Sequence, residues 1–315
     1  MLAKGAAPET KSPELSAIVP NGTSVAGGHT AGATASNGQG PTNGVSPMVA
    51  DLELSLLLEA AYRVSGFDFR EYAPATLKRR IAERVRAEDV ATITGLLEQV
   101  LHHPPALARF VDALAHNPST PFREPQFFRA FVERVLPRLR TFPHVRVWVI
   151  GSGDDAYCLA ILLREAGFSH RTRIYATLVG ELALERAKGG SFPAVLLDEY
   201  AERYAEAGGT KHFSDYVDVA GAECAFKPGV REQIVFAQHN LATDASFNEF
   251  HLIVARNQMP QFNRALAYRA HQVLYESLVR LGYLGLSAKE TLRYTPHQGA
   301  YEEIAGTERF YRRVR

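Results

Sequence analysis

The stretch that most constrains the fold is Val145-Arg-Val-Trp-Val-Ile150, an apolar run broken only by Arg146, which ends in Gly151-Ser-Gly153. A strand that is apolar on both faces belongs inside a parallel sheet covered by helices. After the glycine turn, helical periodicity is expected over 156–166, a second strand over 173–177 and another helix over 180–188. Strand, turn, helix, strand and helix form a βαβ unit. It predicts an α/β, Rossmann-like, doubly wound sheet with a ligand crevice at the carboxyl ends of its strands. Further strands are expected at 234–237, 250–255 and 282–287. Alternation over 213–226 predicts a small antiparallel β-subdomain, an insertion placed at about 200–236.

Ahead of that unit the pattern is helical. Leu52, Leu54, Leu56, Leu57, Ala60 and Val64 suggest one apolar helix face, with Gly66 as the stop. A second helix is expected over 74–87, with Leu77, Ile81 and Val85 on one side. Its other side carries Lys78, Arg79, Arg80, Arg84 and Arg86. Helical patterns at 93–101 and 105–114 complete a small all-helical domain at 49–115, followed by an α/β domain at 116–315. Residues 1–48 are rich in Gly, Ala, Ser, Thr, Asn and Pro. Such a segment has too little apolar surface to offset the entropy of ordering, so a disordered tail is expected there.

Composition excludes several classes. A formal net charge of +1 argues against a general nucleic-acid binder. Cys158 and Cys224 are too few for a disulfide framework or a cysteine-rich zinc site. The eleven histidines include no HExxH, and no metal site is expected. No stretch approaches the roughly 18 apolar residues of a membrane helix, which points to a soluble, cytoplasmic protein without membrane insertion.

Several segments resemble one family. Gly66-Phe-Asp-Phe-Arg-Glu-Tyr-Ala-Pro-Ala-Thr-Leu-Lys-Arg-Arg-Ile81 is similar to the N-terminal signature of CheR-type protein-glutamate O-methyltransferases. Asn117 to Phe128, Trp148 to Ala160, His239-Asn240-Leu241, Leu252 to Asn257, and Gly282-Tyr-Leu284 with Glu290 resemble later motifs of that family, in the same order. The resemblance implies a helical receptor-facing domain and a Rossmann-like domain that binds S-adenosylmethionine. It implies cofactor contacts at Asn117, Ser119, Arg123, Gly151, Gly153, Asp154, Asp155, Asn240, Leu241, Arg256 and Asn257, with Arg123 the candidate catalytic residue. Lys78, Arg79, Arg80 and Arg84 would meet the acidic cytoplasmic region of a chemoreceptor, or another signalling protein.

The chain departs from the family pattern at several of these places. Its glycine loop is shorter, and Asp154 and Asp155 stand where glutamates are usual. Ser119 stands for a threonine and Pro121 for a phenylalanine. Leu178 occupies the end of the second strand, where an acid would bond the cofactor's ribose hydroxyls. A lost charge-assisted bond of that kind costs about 1.5–3 kcal/mol, or ten- to a hundredfold in affinity. Pro260 and Gln261 fall where the family carries an isoleucine and its active-site tyrosine, and His251 replaces an aspartate. Three readings follow. One is a binding or regulatory module of a chemosensory-type pathway with impaired or lost catalysis. The others are an active protein-glutamate O-methyltransferase, and a methyltransferase fold adapted to another small ligand.

Overall fold

The computed structural model describes residues 46–115 and 118–315. Most of the tail expected at 1–48 lies outside the described residues, as does Asn117.

Four helices come first: α1 (Pro47–Ser65), α2 (Pro74–Ala87), α3 (Ile93–His102) and α4 (Pro104–Ala115). Gly66 closes α1 in the left-handed region at φ 78°, its N–H donating to the Tyr62 carbonyl. The buried stripe of α1 is Leu57, Leu58 and Ala61 with Leu54 half-buried beside it, which keeps Leu54 and Leu57 of the face read from the sequence. Leu52, Leu56 and Val64 face outward. The i, i+3, i+4, i+7 set that packs on the bundle lies one step round the helix from the expected one. Leu77 and Ile81 of α2 are buried as expected.

Helix α5 (Pro125–Ala130) passes through a π turn (Phe131–Val135) into α6 (Leu136–Leu139). The α/β core then runs β1 (Val145–Ile150), α7 (Gly153–Glu165), β2 (Thr172–Leu178) and α8 (Glu181–Gly189). Next come β3 (Ser191–Pro193), α9 (Leu197–Glu206), β4 (Val217–Ala220), β5 (Glu223–Phe226), α10 (Pro228–Arg231) and β6 (Ile234–Gln238). The chain ends with β7 (Phe250–Val254), α11 (Arg264–Ser277), β8 (Leu278–Gly285), β9 (Tyr301–Ala305) and β10 (Phe310–Arg313).

The main sheet has the order β6-β2-β1-β7-β8-β10-β9. The strands from β6 to β8 are parallel, and β10 and β9 add an antiparallel edge. Chain order reverses between β1 and β7, the point at which an open α/β sheet parts to form a crevice. The small sheet, β3-β5-β4, is antiparallel. It differs from the insertion read at 200–236 at both ends: β3 at 191–193 already belongs to it, and β6 belongs to the main sheet. A three-residue strand is too short to show a period of two, so β3 leaves no signal in the sequence. Residues 213–216 form a 3-10 turn, and only after it does the chain alternate.

The helical bundle and one face of the main sheet share a single buried apolar cluster, in which Leu57, Phe110, Trp148, Ile253 and Leu284 all take part. Tyr72 pairs with Phe262 as an isolated antiparallel bridge, and their rings meet edge-on at 5.2 Å. The bundle is therefore fixed against the carboxyl end of the sheet, over the crevice.

Candidate functional site in the crevice at the strand ends

The floor of the crevice is the turn after β1. Gly151 sits at φ 74° and donates its N–H to the Thr177 carbonyl at 2.8 Å, which locks the turn to β2. Ser152 caps α7: its hydroxyl accepts from Asp155 N and donates to the Ser119 hydroxyl, each at 3.1 Å. Gly153 is required by packing, since a Cβ there would stand 2.8 Å from the Cβ of Ala187 on α8. The second glycine thus brings two helices together, and the first shapes the crevice.

The two aspartates of the turn differ sharply. Asp155 is buried and meets Arg256, Oδ1 to Nη1 at 2.9 Å. Arg256 also bonds Glu124 at 2.7 Å and the Arg123 carbonyl at 2.8 Å, and lies over the Phe127 ring. Burial works against its charge, but Asp155 and Glu124 outweigh that and hold it above its ordinary pKa. Asp154 has no ion pair or hydrogen bond among the described residues and faces a recess shared with Tyr157, Arg186 and Ser191. Desolvation, helped by the charge of Asp155, pushes its pKa up to about 7.

Asn240 and Leu241 line the crevice from the end of β6. The Asn240 Oδ1 accepts from Ala242 N, while its buried Nδ2 has no hydrogen-bond partner among the described residues. Leu178 is buried against Ala183 and Ala187, a wholly apolar patch at the second strand's end. Glu181, the acid nearest in sequence, is exposed. Gln261 is buried, with its carbonyl oxygen accepting from Arg80 Nη1 at 3.0 Å and its amide donating to the Asn257 carbonyl at 3.1 Å.

Several expected placements change. Arg123 is exposed and its guanidinium donates to the Pro118 carbonyl, though its charge still acts on Asp155. Arg256 and Asn257 act as internal braces, the latter donating its N–H to Glu290. Arg80 is not on the solvent flank of α2, since it donates to the Leu114 carbonyl and Gln261 beneath the bundle. Arg84 pairs with Glu88 and is largely buried, which leaves Lys78 and Arg79 on the exposed flank. His251, the second residue of β7, accepts from Arg146 N at the opposite end of the sheet from the crevice. Tyr72 and Gln258 line the crevice but were not singled out from the sequence. A tyrosine in a helical-domain signature gives no sign that it will roof another domain's site.

Residues 117–310 match the model of the CheR methyltransferase SAM binding domain, and residues 52–115 that of the CheR methyltransferase all-alpha domain. The chain belongs to the CheR methyltransferase family. Among its relatives is the Cher3 protein of Pseudomonas putida, 38% identical over 84% of this chain and 97% of that protein. A chemotaxis protein methyltransferase of Listeria monocytogenes is 28% identical over 78% of the chain and 93% of its own length. An uncharacterized 104.1 kDa protein of Rhodobacter capsulatus is 28% identical over 80% of the chain, which spans 26% of that longer protein.

The matched model over residues 117–310 is that of a SAM binding domain, and measured against that cofactor the residues of the crevice fit unevenly. Asp154, unpartnered, suits an ammonium group, and the orphaned Asn240 amide suits an acceptor on the ligand. Leu178, at the end of β2, is itself no acceptor for ribose hydroxyls.

Proposed function

We propose that this CheR-family chain is a partner-binding protein of a chemosensory-type pathway in which methyl transfer is impaired at the step of cofactor capture. Transfer to a carboxylate asks little bond-making of the protein, because S-adenosylmethionine supplies an already activated methyl group and an ionised glutamate is already a nucleophile. What the chain must supply is position and charge. Asp154 and Asn240 would hold the two ends of the cofactor, while Asp155, Arg256 and Glu124 keep the turn rigid beneath it. The observation that supports impairment is Leu178, buried among alanines where a ribose-binding acid belongs. The docking face in this reading is the exposed flank of α2 at Lys78 and Arg79, toward an acidic helical segment of a chemoreceptor.

Calorimetry with S-adenosylmethionine and S-adenosylhomocysteine tests this, run beside transfer of a labelled methyl group to a chemoreceptor cytoplasmic fragment. Weak binding is expected, with Leu178→Asp tightening it about ten- to a hundredfold. A Kd near 1 μM or below for the unaltered chain, about −8 kcal/mol, would overturn the reading. The rival, an active protein-glutamate O-methyltransferase, draws support from Asn240, a crevice-lining residue whose buried amide has no hydrogen-bond partner among the described residues. Rapid labelling of the fragment would favour it.

A further inference from the structure

Gln258 lies on the glycine turn itself. A Cβ on Gly151 would stand 2.4 Å from the Gln258 Nε2 and 2.9 Å from its Cδ and Oε1, so the flat amide rests directly on the glycine. The side chain is 7% exposed. Its amide donates to the Arg256 carbonyl at 3.2 Å, while Oε1 has no partner among the described residues. The anchor is rigid, because the Arg256 guanidinium is pinned to Asp155 and Glu124. With the amide in place, the cavity between Gly151, Leu178, Asn240 and Tyr72 measures ≈ 40 Å³. That is room for about three waters.

We infer that Gln258 is a built-in occupant of the cofactor crevice: its amide fills the space over Gly151 that a bound nucleoside-sulfonium ligand needs, and so sets the affinity of the site. The inference rests on the crevice being the cofactor site, but not on Leu178. A small side chain placed after Asn257 would leave the glycine turn open, and the turn's positive φ would serve close ligand approach. With glutamine there, the same glycine makes room for the chain's own amide. A ligand enters only those molecules in which the side chain has swung away, so its apparent affinity is lowered by their fraction. One neutral hydrogen bond and a short buried stem hold the side chain in, which corresponds to about a tenfold penalty.

The test is titration of S-adenosylhomocysteine into the full chain, into Gln258→Ala, into Leu178→Asp and into the double variant, with thermal unfolding to confirm that each is folded. Gln258→Ala is expected to tighten binding about tenfold over its parent in both backgrounds, while Gln258→Met, which keeps the length, leaves it unchanged. A fall in affinity with Gln258→Ala would make the amide a ligand-holding group and overturn the inference. So would no change in either background, or no binding by any of the four chains. A readout that needs no ligand is Gly151→Ala, whose strain at φ 74° persists in any background but which should lower the unfolding temperature further when Gln258 is present than when it is combined with Gln258→Ala. Additive effects would remove the contact. Tight binding by the unaltered chain would end the reading of impaired capture, yet the inference stands if Gln258→Ala tightens it further. Weak parent binding that Gln258→Ala does not alter ends the inference alone.

Discussion

Asp154 and Asp155 are adjacent in the chain and opposite in circumstance. Asp155 has Arg256 to neutralise it, whereas Asp154 has no ion pair among the described residues, and desolvation and its like-charged neighbour act on it. The pKa of Asp154 is raised in the fold to about 7, from the usual carboxylate value it keeps when unfolded. Below that usual value both states are protonated and the group costs nothing. As pH rises from about 4 to about 7 the unfolded chain ionises first, so stability falls across that window and then levels off. Replacing Asp154 by Asn should abolish this fall. Urea unfolding of both chains from pH 4 to pH 8 should give curves that separate between pH 4 and 7, and parallel curves would mean Asp154 is well solvated. Two aspartates after a glycine turn were legible as site candidates. Which of them is paired was not, because Arg256 lies 101 residues away in sequence.

At the scale of elements, one acid gathers the segment that leads into the small sheet. Glu165, at the end of α7, accepts from the Tyr204 and Tyr216 hydroxyls with one oxygen and from Thr210 N and Oγ1 with the other. Four donors from α9 and the segment leading into β4 converge on it. Glu165→Gln keeps the shape but weakens four bonds to a charged acceptor. A loss of roughly 1–3 kcal/mol is expected, and hydrogen exchange should rise first over 191–226. If exchange rises evenly over the whole chain, the small sheet is not held separately by this acid. The strands that sequence revealed are those with long apolar runs: β1 was read to the residue, and β2, β6 and β7 to within a residue or so. β8 begins four residues earlier than expected, at Leu278, because Arg280 and Gly282 break its apolar run. The antiparallel edge of β9 and β10 carries exposed charges and gives no such signal.

Over the whole molecule, the bundle does two jobs with one helix. The inner side of α2 places Arg80 on Gln261 and brings Tyr72 to the crevice, while its outer side offers Lys78 and Arg79 to solvent. Exposed charges of this kind govern encounter rate and salt sensitivity more than final affinity. Lys78→Glu combined with Arg79→Glu is expected to slow association with a chemoreceptor cytoplasmic fragment and to flatten its dependence on ionic strength. Unchanged association at low salt would show this flank to be an ordinary solvated surface whose charges pair with Asp51 and Glu83. The sequence by itself determined the βαβ core, the helical bundle, the family and the positions where the crevice departs from it, because periodicity and short motifs are local properties. Only the tertiary structure decided that Arg80 turns inward, that Arg123 stays outside, that Arg256 braces Asp155 and that Gln258 rests on Gly151. Each of those outcomes depends on which distant backbone carbonyl or charge a long polar side chain meets, and neither spacing nor composition records that.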